Sequence, residues 1–305
     1  MNKQKFNIIG LGEILWDIYD NDKFLGGAPA NFAIHCQQLG NDGIVVSRIG
    51  NDTLGDEIKT ALEKRNLITD YLQIDSQKPT GTVQVSLDEK GKPQFICTKD
   101  VAFDYLQFNG QLENLARQAD AVLFGTLAQR NSVSGEVIQK FVQRASRAIK
   151  IYDINLRGWD SATREVVLQS LELANAIKLN DEELTILKNV LQPHAEDIDF
   201  LKFLMEKYNL KLAALTLGEN GCILMDLHDV IKIKGINIKP VDTTGCGDAF
   251  AAGMIHQFLR GKPLYDVAFF SNLIGAYVAL FAGATPLYAL DELEQFRKEI
   301  SILQK

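Results

Sequence analysis

Residues 241–253, which spell VDTTGCGDAFAAG, have the clearest potential for chemistry. Gly245, Cys246 and Gly247 permit a tight turn, and the apolar residues after them favour a helix that begins there. Backbone N–H groups at such a helix start can hold the negative charge that develops on a phosphoryl group. Asp248 stands beside them, where it can accept a proton from an attacking hydroxyl. The stretch therefore predicts phosphoryl transfer to an alcohol, although a capped helix start would use the same residue types.

The same stretch resembles a signature of the ribokinase-like carbohydrate kinases, also called the phosphofructokinase B family, which has the form Asp-Thr-x-Gly-Ala-Gly-Asp. Only Cys246 departs from it, and this residue replaces alanine with another small side chain. The resemblance implies that Asp248 is the catalytic base and that Gly245 to Gly247 form an anion hole. It also implies an α/β fold with a mainly parallel central sheet, helices on both faces, and a small β-sheet lid.

Residues 26–33, GGAPANFA, are similar to the N-terminal signature of this family. Paired glycines let the backbone approach a sugar closely, and Asn31 offers a donor and an acceptor to hydroxyls. Upstream, the segment GEILWD ends at Asp17, which by analogy would accept hydrogen bonds from two sugar hydroxyls. A solvated acid in a turn is the alternative for Asp17. The resemblance thus assigns the following residues to the sugar: Asp17, Gly26, Gly27 and Asn31.

Two further stretches resemble sequence elements with which the family binds the nucleotide. Residues 180–183, NDEE, are similar to its Asn-x-x-Glu element, in which Asn180 would cap a helix and donate toward phosphate, and Glu183 would orient water on a magnesium ion that bridges the ATP phosphates. Taken alone, this pattern is only a good helix start. Residues 216–221, TLGENG, resemble the nucleotide loop. The candidates for ATP contacts are Asn180, Thr216, Gly218, Gly221 and, from a later apolar segment, Asn272.

The run DINLR at residues 153–157 resembles the fructokinase and ketodeoxygluconate kinase branches of the family. Arg157 could reach substrate or phosphate, and a surface ion pair with Asp160 is the alternative. Asp242, Thr244 and the turn GATP at residues 283–286 correspond to positions where relatives bind a monovalent cation. The family often has serine shortly after that proline, but here leucine follows directly, so a potassium site stays open.

Apolar runs that alternate with helical patterns predict βαβ units that position these residues. The predicted strands are 7–12, 44–49, 121–125, 150–153, 176–179 and 212–217. The predicted helices are 31–39, 53–64, 134–148, 163–173, 197–207, 247–259 and 265–281. Residues 71–98 alternate at period two around a turn at 89–92, which predicts a β-meander. We expect one domain over residues 1–305, with a lid formed by about 13–30 and 70–103. The lid candidates for substrate contact are Phe95, Cys97, Thr98 and Phe103.

Composition excludes several other classes. The formal net charge of −7 disfavours nucleic acid as a partner. Four cysteines without a Cys-x-x-Cys pair indicate neither a zinc site nor a disulfide framework, and the N-terminus shows no cleavable apolar stretch, which favours the cytoplasm. Residues 267–290 are apolar enough to suggest a membrane span, but polar interruptions favour a buried helix.

Other enzyme classes fit less well. An early Gly-x-Gly lacks its third glycine, because Leu15 stands there, and no Gly-x-x-x-x-Gly-Lys loop is present, so neither a dinucleotide-binding oxidoreductase nor a P-loop kinase is indicated. The motifs, with FGTL at residues 124–127, are most similar to fructokinases. The sequence therefore predicts an ATP- and magnesium-dependent sugar kinase, a homodimer through its lid, that acts on fructose. A ketodeoxygluconate kinase, a ribokinase and a catalytically silent sugar-binding relative are the alternatives.

Overall fold

The computed structural model describes residues 5–19, 22–87 and 93–303. Its strands are β1 (Asn7–Leu11), β2 (Leu15–Ile18), β3 (Lys23–Gly26), β4 (Asp42–Gly50), β5 (Leu72–Asp75), β6 (Gly81–Leu87), β7 (Pro93–Cys97), β8 (Ala121–Gly125), β9 (Ile149–Asp153), β10 (Ala176–Asn180), β11 (Leu212–Thr216), β12 (Cys222–Asp226) and β13 (Val230–Ile233). Its α-helices are α1 (Ala28–Gln38), α2 (Thr53–Glu63), α3 (Gly110–Gln118), α4 (Ser132–Arg144), α5 (Ser161–Leu173), α6 (Asp181–Leu191), α7 (Asp197–Tyr208), α8 (Cys246–Phe258), α9 (Leu264–Val278) and α10 (Leu290–Leu303).

Over these residues the strands form two sheets. The central sheet has nine strands in the order β13-β12-β11-β10-β9-β8-β1-β4-β5. Its strands pair in parallel from β11 to β5, and β12 and β13 add an antiparallel edge. The second sheet has the order β3-β2-β6-β7, with the pair β2 and β6 parallel. The prediction of a mainly parallel sheet with a small additional sheet is confirmed.

The central sheet is covered on both faces because its strands are apolar at nearly every position. Alternate residues enter different cores: along β8, Val122 and Phe124 pack with helices α3 to α7, whereas Ala121 and Leu123 pack with α1, α8 and α9. The pattern repeats on the neighbouring strands. The two cores fix the sheet between layers of helices, so the loops at its strand ends start from rigid positions.

One part of the predicted β-meander is wrong. Residues 72–75 form β5, which pairs in parallel with β4 at the edge of the central sheet and not with the second sheet. Only β6 and β7 form the predicted hairpin, whose turn at 89–92 lies outside the described residues. Period-two alternation describes any half-buried strand, so it cannot distinguish a sheet edge from a meander. The role of the second sheet as a lid stays a prediction.

The apolar segment 267–290 contains a buried helix, as predicted. Helix α9 ends at Val278 after 15 residues, and its buried side chains pack against α8. Among the described helices, none combines the length and the apolar character that crossing a bilayer requires. The predicted core strands and helices all form, within a few residues of the expected ends, and α6 follows the cap predicted at Asn180. Sequence reasoning missed helices α3 and α10 and the strands β2, β3, β12 and β13.

Candidate active site

A cavity of about 1790 Å³ opens where the parallel strands of the central sheet end. Its walls include Glu13 after β1, Thr126 after β8 and Asn180 at the end of β10. The strand order reverses between β1 and β8, and such a switch point is the usual ligand site of an open α/β sheet. The second sheet borders the same cavity through Leu15 and Ile96. The cavity therefore lies between the two sheets.

Helix α8 begins at the cavity with the tight turn that the sequence predicts. Gly245 has a φ of 76°, and a Cβ there would come within 2.5 Å of the carbonyl oxygen of Ala284, so the position requires glycine. The first-turn amides of a helix have no intrahelical acceptor. The amide of Cys246 donates to the carbonyl of Thr243 over 3.3 Å, a long bond, and Gly247 follows it along the cavity wall. The turn thus places backbone donors at the cavity surface.

Cys246 brings little chemistry of its own to this turn. Burial, together with the charges of Asp248 and Asp242, raises the pKa of its thiol to about 12. The thiol therefore stays protonated and neutral at physiological pH. It replaces the alanine of the family signature as a small side chain without adding charge.

Asp248 is joined directly to the start of helix α1. Its Oδ2 accepts a hydrogen bond of 2.8 Å from Nδ2 of Asn31. Burial raises the pKa of Asp248 to about 7, and the nearby charge of Asp153 adds to this, whereas Lys178, Asn31 and Arg157 oppose it. A carboxylate with a pKa near neutrality can take up a proton at physiological pH, as a general base must.

Residues near the start of α1, among them most of those predicted for the sugar, border the same cavity. Glu13 is 2% exposed, lines the cavity, and its Oε2 has no hydrogen-bond partner among the described residues, as is true of Oδ1 of Asn31. Gly27 has a φ of 104°, and a Cβ there would meet the carbonyl of Glu13 at 2.5 Å. Gly26 does not line the cavity, but a Cβ on it would come within 2.3 Å of Oδ2 of Asp17. Gly27 thus leaves space for the backbone of Glu13, and Gly26 leaves space for the carboxylate of Asp17.

Both sugar-side acids hold their protons more tightly than usual. Burial raises the pKa of Glu13 to about 7, with a further rise from Asp248 and a reduction from Arg157. Burial raises the pKa of Asp17 to about 6, again opposed by Arg157. Sequence reasoning missed Glu13, although its position directly after β1 is a signal that could have found it.

The predicted nucleotide residues line the opposite part of the cavity. Thr216, Gly218, Gly221 and Asn272 all belong to its wall. Gly221 has a φ of 97°, and a Cβ there would lie 2.0 Å from the carbonyl of Ile233, so this turn also requires glycine. The Nδ2 of Asn272 donates to the carbonyl of Lys234 over 3.0 Å, which ties helix α9 to the segment that follows β13.

Asn180 and Glu183 form a capping box at the start of helix α6. Oδ1 of Asn180 accepts from the amide of Glu183 over 2.8 Å, and Oε2 of Glu183 accepts from the amide of Asn180 over 2.9 Å. Oε1 of Glu183 accepts from the amide of Leu156. The cap is confirmed. Each carboxylate oxygen of Glu183 thus holds a backbone amide, and its role toward magnesium stays a prediction. Among the described residues, no group of three or more His, Cys, Asp or Glu is arranged to hold a metal ion.

Sequence reasoning also missed a buried ion pair. Nζ of Lys178 lies 2.9 Å from both carboxylate oxygens of Asp153, and the two residues are register partners on β10 and β9. Lysine at the centre of the mostly apolar strand AIKLN was the available signal. Arg157 is exposed on the cavity wall. The alternative prediction, a surface ion pair between Arg157 and Asp160, is wrong, because Asp160 instead caps α5 by accepting from the amide of Thr163.

Asp242 joins two loops at the predicted cation position. Its Oδ1 accepts from the amide of Thr244 and its Oδ2 from the amide of Gly283, each over 2.9 Å. Burial raises the pKa of Asp242, but these hydrogen bonds lower it by a larger amount, so the net shift of the pKa is downward. Thr244 lines the cavity, whereas Asp242 lies behind it. A cation role for either residue stays a prediction.

Two of the four lid candidates do not line the cavity. The Thr98 hydroxyl is hydrogen-bonded to Thr82, its carbonyl accepts from Arg130, and Phe103 lies fully buried in the core. Neither Thr98 nor Phe103 lines the cavity, and their contact with substrate stays a prediction. Cys97 does line the cavity, as predicted. The backbone of Phe95 belongs to β7, but its side chain lies outside the described part of the chain.

Comparisons with known proteins agree with this geometry. A model of the pfkB family carbohydrate kinases matches residues 17–289. An uncharacterized sugar kinase from Pyrococcus horikoshii is 30% identical over 97% of each chain. Its crystal structure in complex with ATP has a TM-score of 0.80 and 28% identity, and the match covers 96% of this chain and 99% of that one.

Two fructokinases are also similar to this chain. The fructokinase of Vibrio alginolyticus is 28% identical, and the match covers 89% of this chain and 91% of its own. The structure of a fructokinase from Vibrio cholerae O395, with fructose, ADP and calcium bound, has a TM-score of 0.82 and 23% identity over 96% of this chain and 99% of that one. At that identity the second likeness concerns the fold.

Proposed function

Because the chain belongs to the pfkB family of carbohydrate kinases, we propose that it transfers the γ-phosphoryl group of ATP to a hydroxymethyl group of fructose. The observation that carries this proposal is the 2.8 Å hydrogen bond from Asn31 to Asp248. It joins the sugar side of the cavity to the helix start that would receive phosphate. An acceptor hydroxyl bound near Asn31 would therefore lie beside both the base and the backbone amides.

The proposed reaction moves one proton and one phosphoryl group. Asp248 takes the proton from the sugar hydroxyl, whose oxygen forms a bond to the γ-phosphorus of ATP as the bond to the ADP oxygen breaks. Backbone amides at the start of α8, around Gly247, hold the charge on the phosphoryl oxygens as it passes. The nearly neutral pKa of Asp248 suits this transfer at physiological pH.

The charges at the sugar side favour a neutral sugar over a sugar acid. Glu13 and Asp17 both line the cavity, and Arg157, which also lines it, lowers the pKa of each. Two acids are good partners for hydroxyls, and their ionised forms would repel the carboxylate of ketodeoxygluconate. Fructose is preferred to ribose because the relatives with a stated sugar include fructokinases at 28% identity.

Magnesium would bind together with the ATP phosphates and neutralise their charge during transfer. Asp181 and Glu182 line the cavity at the start of α6, next to Glu183, and are exposed there. One or two carboxylates with substrate phosphates are the usual protein contribution to such a site. We propose that these acids hold its water shell and that a potassium ion, where it binds, uses the loops that Asp242 joins.

We further propose a cytoplasmic homodimer that assembles through the second sheet, with that sheet acting as the lid. The cysteines Cys36, Cys97, Cys222 and Cys246 are free thiols, which suits a reducing compartment. Ile96 in β7 is 62% exposed and borders the cavity, so it is placed to be covered by closure or by a second sheet. Light scattering of the native protein and of Ile96→Lys tests the dimer.

The kinase proposal is tested by sugar-dependent ADP release. The protein is assayed with ATP and magnesium against fructose, ribose and 2-keto-3-deoxygluconate, and Asp248→Asn serves as the matched chemical control. We expect the highest kcat/KM for fructose and a loss of about 10²- to 10⁴-fold in kcat for Asp248→Asn, with ATP binding retained. Fructose analogues that lack one terminal hydroxyl identify the acceptor oxygen.

The alternatives predict different results. A higher kcat/KM for 2-keto-3-deoxygluconate or ribose would overturn fructose as the substrate and leave the kinase intact. Binding of ATP and sugar without ADP release from any sugar would indicate a catalytically silent sugar-binding relative. Equal ADP release by the native protein and Asp248→Asn would refute the assigned base.

A further inference from the structure

The ion pair between Lys178 and Asp153 is buried at the active site. Lys178 is 7% exposed and Asp153 is 1% exposed, and the ammonium group contacts both carboxylate oxygens over 2.9 Å. Burying two charges costs desolvation free energy, and apolar residues of similar volume usually serve stability as well or better. A buried pair in a strand that is otherwise apolar therefore calls for a reason beyond stability.

The position of Lys178 supplies such a reason. A Cβ on Gly247 would lie 3.1 Å from Nζ of Lys178 and 3.3 Å from its Cε, so the ammonium group packs directly against the first turn of α8. Lys178 also lines the cavity, together with Asp248 and Gly247. The ammonium group is therefore adjacent to the backbone amides that the proposed reaction uses.

The ammonium group keeps its charge and a free donor in this setting. Burial lowers the pKa of Lys178, but Asp153, Glu183 and Asp248 raise it more, and the net shift is upward. An ammonium group has three N–H donors, and the contacts with Asp153 use two of them. One donor is left beside the helix start.

We propose that Lys178 is a catalytic residue that donates a hydrogen bond to the transferred phosphoryl group, and that Asp153 is the residue that positions it. The inference rests on the proposed phosphoryl transfer and assigns it a cationic group from the protein. Lys178 neither gains nor loses a proton in the step. The hydroxyl proton goes to Asp248, and the charge that builds up on the phosphoryl oxygens is shared between the amides near Gly247 and the fixed ammonium group.

A purely structural pair is the competing explanation, and a double variant separates the two. Lys178→Met alone leaves Asp153 buried without its cation, so it can lower stability whatever its chemical role. Asp153→Asn/Lys178→Met removes both charges and restores a neutral interior. If the pair only supports the fold, this double variant regains turnover together with stability.

The experiment compares the native protein, both of these variants and a control pair. Lys188→Met/Asp197→Asn removes an exposed ion pair of similar length, 2.8 Å, that does not line the cavity. For each protein we measure kcat and KM with the sugar that the native protein uses best, the dissociation constant of ADP, and the thermal midpoint. We expect the double variant to regain most of the thermal midpoint lost by Lys178→Met, while its kcat stays about 100-fold or more below native, in the range of an electrostatic catalytic group.

A transition-state mimic gives a readout that does not depend on turnover. Magnesium, ADP and aluminium fluoride together imitate the phosphoryl group in transfer, and a residue that binds this group stabilises the mimic more than ADP. We expect the double variant to bind this mimic about 100-fold more weakly than the native protein, and ADP alone within threefold.

Each outcome decides a separate question. Recovery of native kcat or of native binding of the mimic by the double variant would overturn the role of Lys178 and leave the kinase function standing. A native protein that releases no ADP with any sugar would overturn the proposed function, and the comparison of the mimic with ADP would then decide the Lys178 assignment by itself.

Discussion

The pH dependence of turnover provides a direct test of Asp248 as the base. The structure raises the pKa of this carboxyl group to about 7, through burial and through the nearby charge of Asp153, against the opposing effects of Lys178, Asn31 and Arg157. A base must be deprotonated to act, so activity rises as pH increases through this value. With a pKa of about 7, about 9% of the protein carries the active carboxylate at pH 6 and about 91% at pH 8.

We therefore expect kcat/KM for the preferred sugar to rise at least tenfold from pH 6 to pH 8, since deprotonation of Glu13 adds to that of Asp248, and to level off above that. The assay is coupled ADP release at saturating ATP and magnesium over pH 5 to 9, so that kcat/KM reports the enzyme before it binds sugar. An unperturbed aspartate would instead give a flat profile over this range, because its pKa lies about three units lower.

Glu13 and Asp17 must be separated from this signal because both also titrate between pH 6 and 7. Glu13→Gln and Asp17→Asn remove these groups one at a time. We expect each variant to keep the rise between pH 6 and pH 8, since neither residue accepts the proton. A flat native profile would refute the reasoning, and loss of the rise in Glu13→Gln would move the titrating base from Asp248 to Glu13.

Three further substitutions test the site and its support. Gly245→Ala should lower kcat by about 100-fold or more and lower the thermal midpoint, because the new Cβ would meet the carbonyl of Ala284 at 2.5 Å and the φ of 76° disfavours alanine; native kcat in this variant would contradict the required turn. Arg130→Gln should cost about 3 to 5 kcal/mol in urea unfolding, since it leaves buried Asp104 without its cation at 2.7 Å; an unchanged urea midpoint would contradict this. Glu13→Gln should raise the KM for sugar about 10- to 100-fold with little change in kcat, as expected for loss of a hydrogen bond between a hydroxyl and a charged acceptor, and an unchanged KM would show that Glu13 does not contact sugar.

The central sheet could be predicted because its physical signal is local. Strands buried on both faces are continuous apolar runs, and for this reason the predicted ends of β8 are the observed ones. Helix α10 was not predicted because its charged, amphipathic sequence resembles a solvated tail. Phe296 is buried only through contacts with α9 that the sequence does not show. Strand β5 was assigned to the wrong sheet since its partner is chosen by tertiary packing and not by alternation.

The chemistry of the site could be predicted only where residues are close in sequence. The turn at Gly245 and the proposed base Asp248 belong to one motif, so their types and spacing identify them together. Lys178 lies 25 positions from its partner Asp153, and only the register of two parallel strands brings them together. Glu183 was found from a local motif, but the motif cannot reveal that both of its carboxylate oxygens already accept hydrogen bonds from backbone amides.

The three acids on the cavity wall destabilise the ligand-free fold as pH rises, because Glu13, Asp17 and Asp248 each have a pKa above the ordinary value. A carboxyl group whose folded pKa is raised binds its proton more tightly in the folded than in the unfolded chain. Its favourable contribution is complete below pH 4 and is lost as pH increases to about 7. In the proposed complex, hydrogen bonds from sugar hydroxyls would stabilise the charged forms of Glu13 and Asp17, so sugar binding would offset part of this cost. The proposed substrate would thus complete polar contacts that the protein alone leaves unfilled.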